Sequence, residues 1–125
     1  MNEYNLRLDY YGLINLHKTL LEAKFHTSPD NEEVSGSPIV AALYIQVRDL
    51  LMESDKGSQW KNWFQLSNRP DRRNQAIILM RKCKCWNQAT SDEKNKIACD
   101  FLAPFFFNEE ELKGVIEEVD RTVQL

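Results

Sequence analysis

Apolar residues recur at intervals of three and four along most of this chain, and this spacing constrains the fold more than any other feature. Between residues 8 and 25 the recurring apolar side chains are Tyr10, Leu13, Ile14, Leu20, Leu21 and Phe25. An α-helix has about 3.6 residues per turn, so residues with this spacing share one face of a helix. The pattern therefore predicts that the chain is built from amphipathic helices.

Helix-start signals divide the chain between these apolar stretches. Ser37 before Pro38 is typical of a helix start, and Thr90 with Glu93 and Asn108 with Glu111 match the capping box. The predicted helices cover residues 8–25, 38–54, a short piece around 60–64, 70–87, 91–103 and 109–124. We therefore predict an all-α fold, a single compact bundle of five or six helices that forms one domain over residues 1–125.

The second predicted helix carries the widest apolar surface. Its predicted core-facing residues are Ile39, Ala42, Leu43, Val47, Leu50 and Leu51. A stripe of this width is typical of a central helix. In the last predicted helix, Leu112, Val115, Ile116 and Val119 are expected on one inward face.

Composition favours a soluble intracellular protein. Hydrophobic residues make up 42% and charged residues 28% of the 125 residues, which is close to globular averages. The first residues lack the basic and apolar regions of a secretory signal, and the longest apolar run, residues 39–45, is too short to span a membrane. We expect a cytoplasmic protein that does not interact with a membrane.

The three cysteines are Cys83, Cys85 and Cys99, an odd number without a disulfide framework, and we expect reduced thiols. If the predicted helix 70–87 continues to about Asn87, Cys83 and Cys85 point about 200° apart and cannot share a metal ion. Cys83 and Trp86 are then expected in the core. Cys85 is expected outside without a functional role; the alternative is a thiol made reactive by the nearby basic residues.

No recognisable catalytic, metal-binding or nucleotide-binding motif occurs in the sequence. His17 lies four residues after Leu13 and four before Leu21, so we interpret it as a core histidine hydrogen-bonded to a neighbour. We predict no enzymatic activity, no catalytic residue, no metal and no cofactor. An enzyme acting through His17 or Cys85 is the least favoured alternative.

Charge is strongly segregated along the chain, although the net charge is only -3. Residues 56–91 hold eight basic and one acidic side chain, whereas residues 1–55 and 92–125 each hold four basic and nine acidic side chains. Such asymmetry is informative about binding partners, because a surface of one sign attracts ligands of the other. Two interpretations follow.

The first interpretation is a protein-binding surface made by acidic residues. The residues concerned are Asp30, Glu32, Glu33, Glu109, Glu110, Glu117, Glu118 and Asp120. The alternative is RNA or DNA binding by the basic segment 56–86, in which three tryptophans accompany the cations. Its candidate contacts are Lys61, Arg69, Arg72, Arg73, Arg81 and Lys84.

In size and character the whole chain resembles the immunity proteins of bacterial toxin systems, including those of contact-dependent growth inhibition. The features that carry the resemblance are a short, acidic, helical chain and the lack of catalytic motifs; no specific motif is shared. The resemblance implies a non-enzymatic protein that neutralises a cognate toxin, often a basic nuclease, by covering its active site. The basic middle segment departs from a simple acidic mimic.

Overall fold

Six α-helices follow one another in the computed structural model, which describes residues 2–123 and the side chains of residues 2–121. They are α1 (Tyr10–Phe25), α2 (Pro38–Glu53), α3 (Gly57–Trp63), α4 (Pro70–Arg81), α5 (Ser91–Leu102) and α6 (Glu109–Val123). A 3₁₀ turn, Leu66–Asn68, connects α3 to α4. The predicted all-α bundle is confirmed. None of these helices is long and apolar enough to cross a membrane.

Side-chain caps fix several helix starts where the sequence predicts them. The Ser37 hydroxyl accepts a hydrogen bond from the Val40 backbone N–H at 3.2 Å, and Thr90 and Glu93 form the full reciprocal capping box. Asn108 and Glu111 make the same two reciprocal bonds before α6, at 3.1 and 2.8 Å. Each cap satisfies backbone N–H groups that have no partner inside the helix.

Helix α4 lies at the centre of the packing and contacts α1, α5 and α6, while α2 packs against α1 and α3. The core contains aromatic and aliphatic residues from every long helix. Its fully buried members include Tyr44, Phe64, Leu51, Met80, Leu102, Val115 and Val119. The predicted inward face of α6 is confirmed, because Val115 and Val119 are buried and Leu112 and Ile116 pack against the core.

The predicted inward stripe of α2 is partly wrong. Its buried residues are Ala41, Tyr44, Val47 and Leu51. Four residues that the apolar pattern places inside are exposed, namely Ala42 and the large apolar residues Ile39, Leu43 and Leu50. Apolar residues surround much of this helix, so their spacing alone does not determine which side packs on the core.

The cysteine prediction is corrected by the end of α4. The helix ends at Arg81 instead of continuing to about Asn87, and residues 83–86 form a turn in which the Trp86 N–H donates to the Cys83 carbonyl at 3.2 Å. Off the helix, the 200° separation no longer applies: the Cα atoms of Cys83 and Cys85 lie 5.4 Å apart and the two residues are joined as a disulfide. The expectation of reduced thiols at these positions is therefore wrong.

Candidate functional site

His17 is buried in a nest of aromatic rings, which confirms its interpretation as a core histidine. Its Nδ1 atom lies 2.7 Å from the hydroxyl oxygen of Tyr44, and its ring centre lies 5.2 and 4.9 Å from the rings of Trp60 and Trp63. Burial lowers the pKa of His17 to about 4, and the charges of Lys18 and Arg72 act in the same direction. His17 is therefore neutral at pH 7, and its Nδ1 atom is hydrogen-bonded to the hydroxyl of Tyr44.

Lys24 is fully buried, which was not predicted from the sequence. Its ammonium group donates to three backbone carbonyls, those of Ser35 at 3.1 Å, Asp100 at 2.6 Å and Phe101 at 2.8 Å. Burial lowers its pKa to about 7, although the carboxylate of Asp100 acts against that shift. A signal was present in the sequence, because Lys24 lies three residues after Leu21 and seven after His17, on the buried face of α1.

A cavity of about 420 Å³ opens between the 26–37 loop and the turn after α4. Its lining includes the apolar residues Leu79 and Phe101 and the charged residues Lys82, Lys84 and Glu32. Lys82 is anchored to the loop, because its ammonium group donates to the Thr27 carbonyl. The hydroxyl of Ser35, another lining residue, is buried and has no hydrogen-bond partner in the described part of the chain.

The predicted nucleic-acid contacts divide into two groups. Arg69 stacks on the Trp63 ring at 4.4 Å, Arg72 donates to Gln75 at 3.2 Å, and Arg73 forms a 2.9 Å ion pair with Glu118. Lys61, Arg81 and Lys84 are instead exposed.

The three tryptophans that accompany these cations in the sequence point largely into the protein. Trp86 is buried, and Trp60 and Trp63 are half-buried against the core. The indole N–H of Trp60 donates to the Tyr10 hydroxyl at 3.0 Å, and that of Trp86 donates to the Asp120 carboxylate at 2.9 Å.

The predicted acidic contacts also divide. Two of the residues in α6 are held internally: Glu118 pairs with Arg73, and Asp120 accepts from both Lys94 and Trp86 at 2.9 Å. The hydrogen bond from Arg73 lowers the pKa of Glu118, and the one from Lys94 lowers the pKa of Asp120. The remaining acidic side chains are exposed, namely Asp30, Glu32, Glu33, Glu109, Glu110 and Glu117.

The two exposed acidic groups line different depressions of the surface. Glu32 and Glu33 stand beside the 83–85 turn and Phe101. Glu109 and Glu117 line a separate groove between α5 and α6, together with Leu112 and Lys113. The exposed acidic candidates therefore lie at two separate places, the 30–33 loop and α6, and the groove at α6 is also lined by Lys94 and Lys113.

Residues 2–121 contain no group of three or more histidine, cysteine or acidic side chains placed to hold a metal ion. No protein-family model, curated protein or solved structure matches the chain.

Proposed function

We propose that this protein is a non-enzymatic binding protein that neutralises a cognate toxin, with a basic nuclease domain as the preferred partner. Its acidic surface residues would cover the positively charged active-site region of that domain. Glu109, Glu110 and Glu117 of α6, with the 30–33 loop, are the proposed contacts.

The observation that supports this proposal is that a smaller share of the acidic candidates than of the basic candidates makes contacts within the protein. Six of the eight acidic candidates are exposed, and none of the six forms an ion pair within the described part of the chain. Three of the six basic candidates, by contrast, contact partners within the protein. Complementary charge across an interface speeds encounter and selects the partner, so free carboxylates favour a basic protein as the ligand.

The outer side of α2 supports a protein partner as well. Ile39, Leu43 and Leu50 are large apolar residues with exposed side chains on the same helix. Interfaces between proteins gain most of their affinity from buried apolar and aromatic groups, whereas charged rims contribute mainly rate and selectivity. Exposed aliphatic side chains contribute little to a protein surface that binds nucleic acid.

The inward tryptophans weigh against the alternative of single-stranded nucleic-acid binding. Stacking of bases requires aromatic faces that are open to the ligand. Trp86 is buried, and the ring of Trp63 already has Arg69 over it. Exposed Lys61, Arg81 and Lys84 remain as the phosphate contacts that this alternative would use.

A binding titration with a purified basic nuclease toxin, encoded beside the gene for this protein, tests the proposal. We expect the double variant Glu110→Lys, Glu117→Lys to weaken binding at least about tenfold, mainly through slower association. The double variant Glu22→Lys, Asp55→Lys is the matched control, because it changes the net charge equally and both residues are exposed and line other depressions of the surface. An unchanged affinity of the Glu110→Lys, Glu117→Lys variant for the toxin would contradict the proposed acidic contacts.

A second titration separates the alternative. We expect no measurable affinity for single-stranded RNA at low salt. RNA binding that falls steeply with added salt, and that is lost in Arg81→Glu, Lys84→Glu, would instead assign the function to the basic segment. These two positions are preferable to Arg72 and Arg73, whose reversal would also disturb internal contacts.

A further inference from the structure

The arm, residues 2–9 ahead of α1, has an alternating pattern unlike the rest of the chain. Glu3, Asn5, Arg7 and Asp9 are polar, and the residues between them, Tyr4, Leu6 and Leu8, are apolar. Successive side chains of a β-strand point to opposite faces. As a strand, the arm would therefore have one fully apolar face and one fully polar face.

Nothing in the described structure covers the apolar face of the arm. Tyr4 is 90% exposed, Leu6 76% and Leu8 44%. The arm has no helix, turn or bend, and no backbone group of residues 2–8 is hydrogen-bonded within the described part of the chain. Both kinds of group that a strand uses for pairing, apolar side chains and backbone N–H and C=O, are thus available.

The protein's own body offers the arm no sheet to join. Within residues 2–123 the only extended pairing is a single bridge between Gln65 and Phe106. A second copy is also a poor partner, because two arms would form only a two-stranded ribbon, which is marginally stable in water. The sheet must come from a different protein.

A helical arm explains the pattern less well. Tyr4, Leu8 and Tyr11 are spaced by four and three, but Leu6 would lie on the opposite side of such a helix. The Asp9 carboxylate accepts from the Gly12 N–H at 2.7 Å, and Asp9 has an extended ψ of -178°. This cap begins the helix at Tyr10, so the helix does not include the arm.

We propose that the arm binds by adding as a strand to the open edge of a β-sheet in a partner protein. The backbone of residues 4–8 would supply the ladder of hydrogen bonds. Tyr4, Leu6 and Leu8 would pack on apolar surface flanking that edge, which gives the interaction its selectivity. The proposal requires a partner with an open sheet edge and holds whether or not that partner is a toxin.

Capture through a photoreactive side chain at position 11 supplies the partner. Tyr11 is 74% exposed and lies just outside the arm, so the arm keeps its sequence. The full-length protein is crosslinked in a lysate of the cells that make it, and the captured protein is then purified. Failure to capture any protein, or capture of a protein without a β-sheet, overturns the proposal.

N-methylation of the backbone amide at each of positions 4–8 in turn, which leaves every side chain in place, then tests the strand geometry. Along an edge strand, N–H groups point alternately toward the sheet and toward solvent, so N-methylation removes a ladder bond only at every second position. We expect losses of affinity of at least about tenfold at one parity and less than about threefold at the other. Equal losses at all five positions, or none, would overturn the proposal.

A pair of acidic substitutions checks the two faces. We expect Leu6→Asp to weaken binding at least about tenfold and Asn5→Asp to change it little, because only Leu6 lies on the apolar face. Circular dichroism should be unchanged in all arm variants, since the arm makes no backbone hydrogen bond to the body over residues 2–8. An arm that fails these tests leaves the α6 reversals of the proposed function unaffected, so the two proposals fail separately.

Discussion

Nδ1 of His17 and the hydroxyl oxygen of Tyr44 lie 2.7 Å apart and join α1 to α2 inside the aromatic part of the core. The bond is buried, so a positive charge on the imidazole would be poorly solvated. This explains why burial dominates the lowering of the His17 pKa to about 4. The neutral ring is an integral part of the packing between these two helices.

Acidification should therefore destabilise the protein through His17. The pKa is about 4 in the folded state and 6.5 when the ring is exposed, so the unfolded state binds more protons as the pH falls from 6.5 toward 4. We expect a loss of about 2 kcal/mol between pH 6.5 and 5, measured by urea unfolding. His17→Gln should flatten this dependence, whereas His26→Gln, at an exposed position, should leave it intact.

Removal of the whole Lys24 amino group should destabilise the fold strongly. Lys24→Met keeps much of the side-chain volume but leaves the carbonyls of Ser35, Asp100 and Phe101 without their donor. We expect a cost of about 3 kcal/mol in the free energy of unfolding. Lys18→Met, on the exposed side of α1, should change it by less than about 0.5 kcal/mol. Similar effects of the two variants would contradict a structural role for Lys24.

Stability should also rise above pH 7 because of Lys24. Its pKa is about 7 in the folded state and 10.5 in the unfolded state, so raising the pH within that window releases protons mainly from unfolded chains. Thermal unfolding between pH 7 and 9.5 is the suitable measurement. The wild-type midpoint should increase relative to that of Lys24→Met, and parallel curves for the two proteins would refute the linkage.

Asp120 and Glu117 should separate structural from exposed acidic residues. Asp120→Ala removes the acceptor of both Lys94 and Trp86, and we expect it to cost about 2 kcal/mol of stability. Glu117→Ala, on the exposed side of the same helix, should cost less than about 0.5 kcal/mol. Chemical unfolding of the two variants decides the matter; equal costs would remove the distinction between the two residues.

Two glycines should respond oppositely to alanine. A Cβ atom at Gly36 would lie 2.6 Å from the ring of Phe101, so Gly36→Ala forces a buried side chain to move and should cost about 2 kcal/mol. At Gly114, within α6, the nearest atom would be 3.7 Å away, which is ordinary contact. Gly114→Ala should therefore stabilise the protein by about 0.5 to 1 kcal/mol. Unfolding curves with the same sign of change for both would be inconsistent with this packing.

Local signals in the sequence predicted the helices better than their orientations. Thr90, Glu93, Asn108 and Glu111 act within one turn of the chain, so their caps follow from sequence alone. Which side of α2 faces the core depends on distant helices. The sequence therefore identified this helix without distinguishing buried Tyr44 from exposed Leu43.

The end of α4 was mispredicted because the apolar spacing continues past it. Met80, Cys83 and Trp86 keep helical intervals, yet Cys83 and Trp86 reach the core from a turn. The alternation in the arm covers only a few residues, and Leu8 also fits the helical spacing of α1. Sequence alone therefore does not fix the start of α1, whereas the Asp9 cap does.

The candidate site could be predicted in residue type but not in pairing. The acidic and basic sets are visible as charge runs, whereas the contacts Arg73–Glu118 and Lys94–Asp120 depend on how α4, α5 and α6 come together. Lys24 is the clearest limit. A lysine on an apolar helix face becomes buried only because three carbonyls from other segments surround it.

The three carbonyl partners of Lys24 also determine when this side chain becomes buried during folding. Ser35 is 11 residues away in sequence, but Asp100 and Phe101 are separated from Lys24 by 76 and 77 residues. Desolvating the amine before those distant carbonyls arrive would be unfavourable, and closing so long a loop is slow. Lys24 should therefore remain hydrated in the folding transition state and enter its place late, so that its loss accelerates unfolding far more than it slows folding.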